Sequence, residues 1–228
     1  MLPHRLAAAT LAAMLAAAPG LADEYATYQQ VEFTPVGAGG MPACTSSALL
    51  NRPDAWVPGD AAVVMLGTGP QLDRGRDPLL AALLSERAAV LEVTPGTCET
   101  SSTTADTKTD ALDALAGALV ALRQAGAGMV VAIGFGGTAT AATVEAMDGS
   151  ALAGRFGPDG PRFAAGFGVE AGTPVFAPPG RESAGGRLDL LCRALAQAIP
   201  GGARGAAACA AAFDAGAAGT QAVTRARP

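Results

Sequence analysis

Residues 129–147, MVVAIGFGGTATAATVEAM, run from an apolar segment through closely spaced glycines into small, helix-forming residues. MVVAI has the continuous apolar character of a strand buried on both faces, and Thr138 to Met147 the composition of a helix. The glycines between them permit a tight reversal. A buried strand that turns straight into a helix is the unit from which parallel sheets are built, so the fold follows from whether the flanking sequence repeats it.

It does. Upstream, DAAVVML (60–66) is a short, wholly apolar strand, and GTGPQLDRGR is the loop after it. Asp77-Pro78 opens a helix as a capping carboxylate followed by proline at the first helical position, with Leu79, Leu80, Leu83 and Leu84 as its apolar stripe. AAVLEV (88–93) is the next strand, and TPGTCETSSTTADTKT a polar loop. A helix carrying Leu112, Leu115, Leu119 and Leu122 at helical spacing ends near Gly126. Downstream, RFAAGFGVE and TPVFA read as two more strands. GRLDLLCRALAQAI is a helix with Leu188, Leu191, Leu195 and Ile199 on one face, and a last strand falls around Ala207 to Phe213. Ahead of all this, YATYQQVEFTP alternates as an edge strand, and residues 35–59, rich in Gly, Pro, Ser and Asn, read as a long connection. The expectation is one α/β domain, a mostly parallel sheet with helices on both faces.

The first 22 residues stand apart. Arg5 precedes the uninterrupted apolar run Leu6 to Ala18, and Gly20-Leu21-Ala22 offers the small residues that a signal peptidase cuts after. Thirteen residues of helix rise only about 20 Å, too little for a bilayer core. Residues 1–22 are therefore expected to be a signal peptide and 23–228 a single domain, periplasmic or secreted, with no membrane anchor after cleavage. The chain carries 15 basic and 20 acidic residues, a net charge of −5. An acidic surface without a basic cluster repels phosphate backbones, so nucleic acid is not an expected partner.

Cys44, Cys98, Cys192 and Cys209 make an even count, which in an exported chain suggests disulfides. Of the three pairings, Cys44–Cys98 with Cys192–Cys209 is the one favoured. None of the four sits in a C-x-x-C pair, which weakens redox and zinc readings. The only histidine is His4, within the presumed signal. Catalysis of the Ser-His-Asp or Cys-His kind and histidine-ligated metal sites are thereby excluded.

The order of elements from AAVVMLGTGPQLDRGRDPLLAALLSERAAVLEVTPG, through DALDALAGALVALRQAGAGMVVAIGFGGTATAA, to TPVFAPPGRESAGGRLDLLCRAL and AAAFDAGA resembles an α/β-hydrolase of the dienelactone-hydrolase type. The resemblance implies an active site at the nucleophile elbow, an acid-bearing loop and a late histidine, and in this chain each is altered. Aligning the paired glycines of AIGFGG with the family's Gly-x-Ser-x-Gly-Gly puts Gly134, beside Phe135, at the nucleophile. The His-Gly loop that helps form the oxyanion hole falls on Leu66 and Gly67, next to Thr68. The acid falls on Ser183 or Glu182, and the histidine on Ala211. These positions read as a vestigial site with the triad lost.

Three other readings use residues of the same region. RESAGG (181–186) resembles a carboxylesterase elbow around Ser183, but no histidine exists to activate the hydroxyl, and a helix-capping serine is the plainer reading. GFGGTA satisfies the dinucleotide fingerprint with Gly134, Gly136 and Ala139, yet Asp148 comes too early and Glu170 too late to bind a ribose. Glu92, Glu99, Glu170, Glu182 and Asp214 could meet at the carboxyl ends of the strands, although their spacing alone does not show that they converge. The expected function is a non-catalytic pseudo-hydrolase that binds a small ligand or a periplasmic protein, with no cofactor and no metal. The alternatives are a divergent ester or lactone hydrolase using carboxylates, and a nucleotide-binding Rossmann-like domain.

Overall fold

A computed structural model describes residues 26–42, 44–67, 70–95, 107–170 and 173–177. Within these, strands β1 (Ala26–Phe33), β2 (Ser46–Pro53), β3 (Ala61–Gly67), β4 (Ala89–Val93), β5 (Met129–Phe135), β6 (Ala165–Glu170) and β7 (Thr173–Ala177) form one sheet. Its order is β1-β2-β4-β3-β5-β6-β7. The central strands β4, β3, β5 and β6 are parallel, whereas β2 runs antiparallel to both neighbours and β7 antiparallel to β6. Helices α1 (Pro70–Ser85), α2 (Thr107–Gln124), α3 (Gly137–Met147) and α4 (Gly149–Phe156) fill the connections. The expected class, a mostly parallel α/β sheet covered on both faces, is the one observed.

The two faces are assigned by the parity of the strand residues, because side chains alternate along a strand. From β3, Ala62, Val64 and Leu66 join Leu112, Leu115 and Leu119 of α2, Ala139, Ala142 and Ala146 of α3 and Leu152 of α4 in one core. Ala61, Val63 and Met65 join Leu79, Leu80, Leu83 and Leu84 of α1 in the other. Every residue of β3 and β5 is buried, as the unbroken apolar runs of their sequences require.

Helix α3 lies unusually close to the sheet because the strands beneath it carry no side chains there. Gly134 of β5 pairs with Gly168 of β6, and Ala132 with Gly166. A β-carbon on Gly134 would overlap the carbonyl oxygen of Ala139 and stand 2.6 Å from Thr143 Oγ1. One on Gly166 would stand 2.6 Å from Met147 Cγ, and one on Gly168 would overlap Thr140 Cγ2. Thr140 Oγ1 donates to the Gly134 carbonyl at 3.3 Å, and the buried Thr143 hydroxyl has no partner among the described residues.

A second fastening joins α2, α4 and the segment after β1. The guanidinium of Arg155 reaches Asp113 Oδ1 through Nη2 at 2.5 Å and through Nε at 3.1 Å, and Nε also donates to the Val36 carbonyl. The Val36 amide donates to the carbonyl of Asp113. Arg155 is 9% exposed and Asp113 16%. Burial pushes the Asp113 carboxyl above its ordinary range, against the opposing pull of Arg155.

Three elements depart from the sequence reading. Residues 35–59 contain strand β2; its Ser46, Ala48 and Leu50 alternate inward, but Asn51 and Pro53 mask the pattern. Helix α1 begins at Pro70, with Pro78 inside it. Both prolines suit a first helical turn, and the sequence offers no means of choosing the earlier one. Helix α4 was not foreseen, because Gly149 and Gly154 dilute its helical signal; Asp148 caps it by accepting from the Ser150 amide at 3.2 Å.

Cys44 is disulfide-bonded. Cys98, Cys192 and Cys209, the signal segment, the helix expected after Gly186 and the strand expected near Ala207 lie outside the described residues. No helix among the described residues is long and apolar enough to cross a membrane.

Candidate functional site at the carboxyl end of the sheet

Because β3, β4, β5 and β6 are parallel, their carboxyl ends share one edge, where open α/β sheets bind ligands. Gly67, Glu92 to Thr94, Phe135 with Gly136, and Val169 gather there. Between β5 and α3 the chain reverses at Gly136, which has φ 86° and ψ 163°. Its amide donates to the Val169 carbonyl at 2.9 Å, tying the turn to β6. The φ lies in the region that side chains resist, so glycine is the residue this turn requires.

This corrects the placement expected from sequence. Gly134 is a residue of β5 with no left-handed backbone, two positions before the reversal. The turn expected from sequence at Gly134 thus falls two residues later. The reversal itself is at Gly136, and Gly134 lies where α3 approaches the strand. The turn residue still offers no side chain.

Beside Gly67 the edge opens into a cleft of about 400 Å³, lined by Gln30, Ser47, Leu49, Glu92 and Thr94, with Ala48 and Val93. Glu92 is held rigidly. Arg76 Nε donates to its Oε2 at 2.5 Å and Nη2 to its Oε1 at 2.8 Å, while Asn51 Nδ2 donates to Oε1 at 2.6 Å. Arg76 Nη1 also donates to Asp77 Oδ1 at 2.7 Å. Bidentate contact with Glu92 holds the Arg76 guanidinium above its ordinary value despite the cost of desolvation. Asn51 is fully buried, and its Oδ1 has no partner among the described residues.

Of the carboxylates singled out in the sequence, Glu92 stands in the cleft. Glu170 ends β6, and Glu99, Glu182 and Asp214 lie outside the described residues, as do Thr68, Ser183 and Ala211. Among the described residues, no group of three or more His, Cys, Asp or Glu is placed to hold a metal ion. The sequence reading missed Asn51 and Arg76, the partners of Glu92, because both lie in segments read as loop.

No family model matches the chain, and no curated protein does. Among solved structures, the chain is similar to a bacterial heroin esterase at 11% identity and a TM-score of 0.48, over 67% of this chain and 47% of that one. It is similar to the esterase domain of a Rhodothermus marinus protein at 18% identity and a TM-score of 0.38, over 54% of this chain and 47% of that one. An esterase of Pyrobaculum calidifontis gives 18% and 0.37, over 54% and 40%. The chain thus spans less than half the length of these structures, and its function is argued from its own geometry.

Proposed function

We propose that this protein is a non-catalytic, exported binding protein on an α/β-hydrolase-like sheet, with its ligand in the cleft beside Gly67 and Glu92. One observation carries the reading. Gly136, the residue at the strand-to-helix reversal where a hydrolase of this architecture would present its nucleophile, has no side chain. The composition agrees, since the sole histidine is His4 and a hydroxyl elsewhere would lack the usual general base.

The divergent-hydrolase alternative needs a carboxylate able to take a proton. Glu92, the carboxylate in the cleft, spends its oxygens on Arg76 and Asn51, an arrangement suited to a fixed acceptor rather than a base. The disulfide at Cys44 and the apolar start of the chain both support export to an oxidising compartment.

The test is an assay of purified protein with activated esters. The expected result is no turnover above that of a Glu92→Gln variant, since general-base assistance alone is worth roughly 10² to 10⁴ in rate. Saturable turnover by the wild type, abolished in the variant, would replace this reading with the carboxylate hydrolase.

A further inference from the structure

The cleft belongs to a wider surface. On β1, Val31 and Phe33 pack into the core beneath α2, so Tyr28, Gln30 and Glu32 stand on the opposite, α1 side of the sheet. The register sets Tyr28 opposite Asn51, Gln30 opposite Leu49 and Glu32 opposite Ser47, and in turn Leu49 opposite Glu92. This part of the sheet therefore presents an aromatic ring, an amide, hydroxyls at Ser47 and Thr94, one aliphatic side chain and an oriented carboxylate. Tyr28 is 55% exposed.

We propose that this surface binds a neutral saccharide, a reading that rests on the non-catalytic binding function above and names its ligand class. A saccharide offers hydroxyls that both donate and accept, together with apolar C–H faces. Gln30, Ser47 and Thr94 can do the same in return. Tyr28 supplies a flat ring for a C–H face, with its hydroxyl left to the wet side. Glu92, pinned by Arg76 and Asn51, is an acceptor whose position is fixed before the ligand arrives, which lowers the ordering cost of binding.

Other ligand classes fit less well. Anions meet Glu32 on a chain of net charge −5, and the cation in reach, Arg76, is already engaged by Glu92 and Asp77. A cation gains little from Glu92, whose charge Arg76 already balances. A wholly apolar ligand would bury Gln30, Ser47 and Thr94 without hydrogen bonds.

Calorimetric titration of the full chain with cellohexaose, maltohexaose and chitohexaose tests the proposal. At least one is expected to bind, and Tyr28→Ala to weaken it about tenfold, with Glu92→Gln weakening it too. Val144→Ala, an exposed change on α3, should leave it unaltered. Tyr28 is exposed enough for its truncation to spare the fold, which circular dichroism verifies. No heat from any of the three at millimolar concentration overturns the proposal, as does binding unchanged in both the Tyr28 and Glu92 variants. Ester turnover would instead sink the non-catalytic reading and leave saccharide binding to stand or fall by this titration.

Discussion

Gly134→Ala is expected to destabilise the protein by about 3 kcal/mol, the upper part of the range for overpacking a close-packed site. For a domain of this size that lowers the melting temperature by roughly 6–12 °C. The cause is contact, not backbone strain. Gly134 is an ordinary strand residue, but an added β-carbon would run into the carbonyl of Ala139. Relief would require α3 to lift, and α3 rests equally on Gly166 and Gly168. Gly154→Ala is the comparison: it lies within α4 with open space about its Cα, and should stabilise by about 0.5–1 kcal/mol. Thermal unfolding of the two variants decides the matter. Equal melting temperatures would mean that α3 does not sit against the glycines as described.

Arg155→Met should destabilise by about 3 kcal/mol, measured by urea unfolding, because it leaves the Asp113 carboxylate largely buried and unpaired. It also removes the donor to the Val36 carbonyl, loosening the segment that leads from β1 to β2. Adding Asp113→Leu should recover a large part of the loss, since an apolar pair of similar volume avoids the cost of desolvating two charges. A double variant no more stable than Arg155→Met would show that the guanidinium acts mainly through its backbone contacts. The single variant gains stability as pH falls through the Asp113 titration. Its unpaired carboxyl binds a proton more readily folded than unfolded, so acid favours the folded form and that gain is lost as pH rises.

The parallel centre of this fold is legible in the sequence because burial on both faces makes its strands nearly continuous apolar runs. DAAVVML, AAVLEV and MVVAI became β3, β4 and β5, and TPVFA became β7 with no change of boundary. Legibility fails at β2 and at the short helix α4. In β2 a buried asparagine serves Glu92 and a proline closes the strand, and both look like loop residues until the neighbouring strand is in place. The site follows the same division. Glu92 could be singled out as one of several carboxylates, but what fixes it is Arg76, sixteen residues earlier, and Asn51, forty-one earlier. No local pattern encodes contacts at such distances. The position of the strand-to-helix reversal is ambiguous for a different reason: three glycines in four residues permit more than one placement, and only backbone torsions separate them.

The order of the strands also bears on which parts of the molecule open first. β3 and β5 lie inside the sheet with partners on both sides, so their amides should exchange with solvent only when the whole domain unfolds. β1 lies at the sheet margin, pairs in register with β2 alone among the described strands, and has both Thr27 and Tyr28 exposed near its start. Its amides should exchange by local fraying, at a free energy well below the global value. The face carrying Tyr28 and Gln30 is therefore supported by a strand at the margin of the sheet. A molecule that closes on this face would slow exchange along β1 while leaving β3 and β5 as they were, so binding there can be detected without knowing what the ligand is.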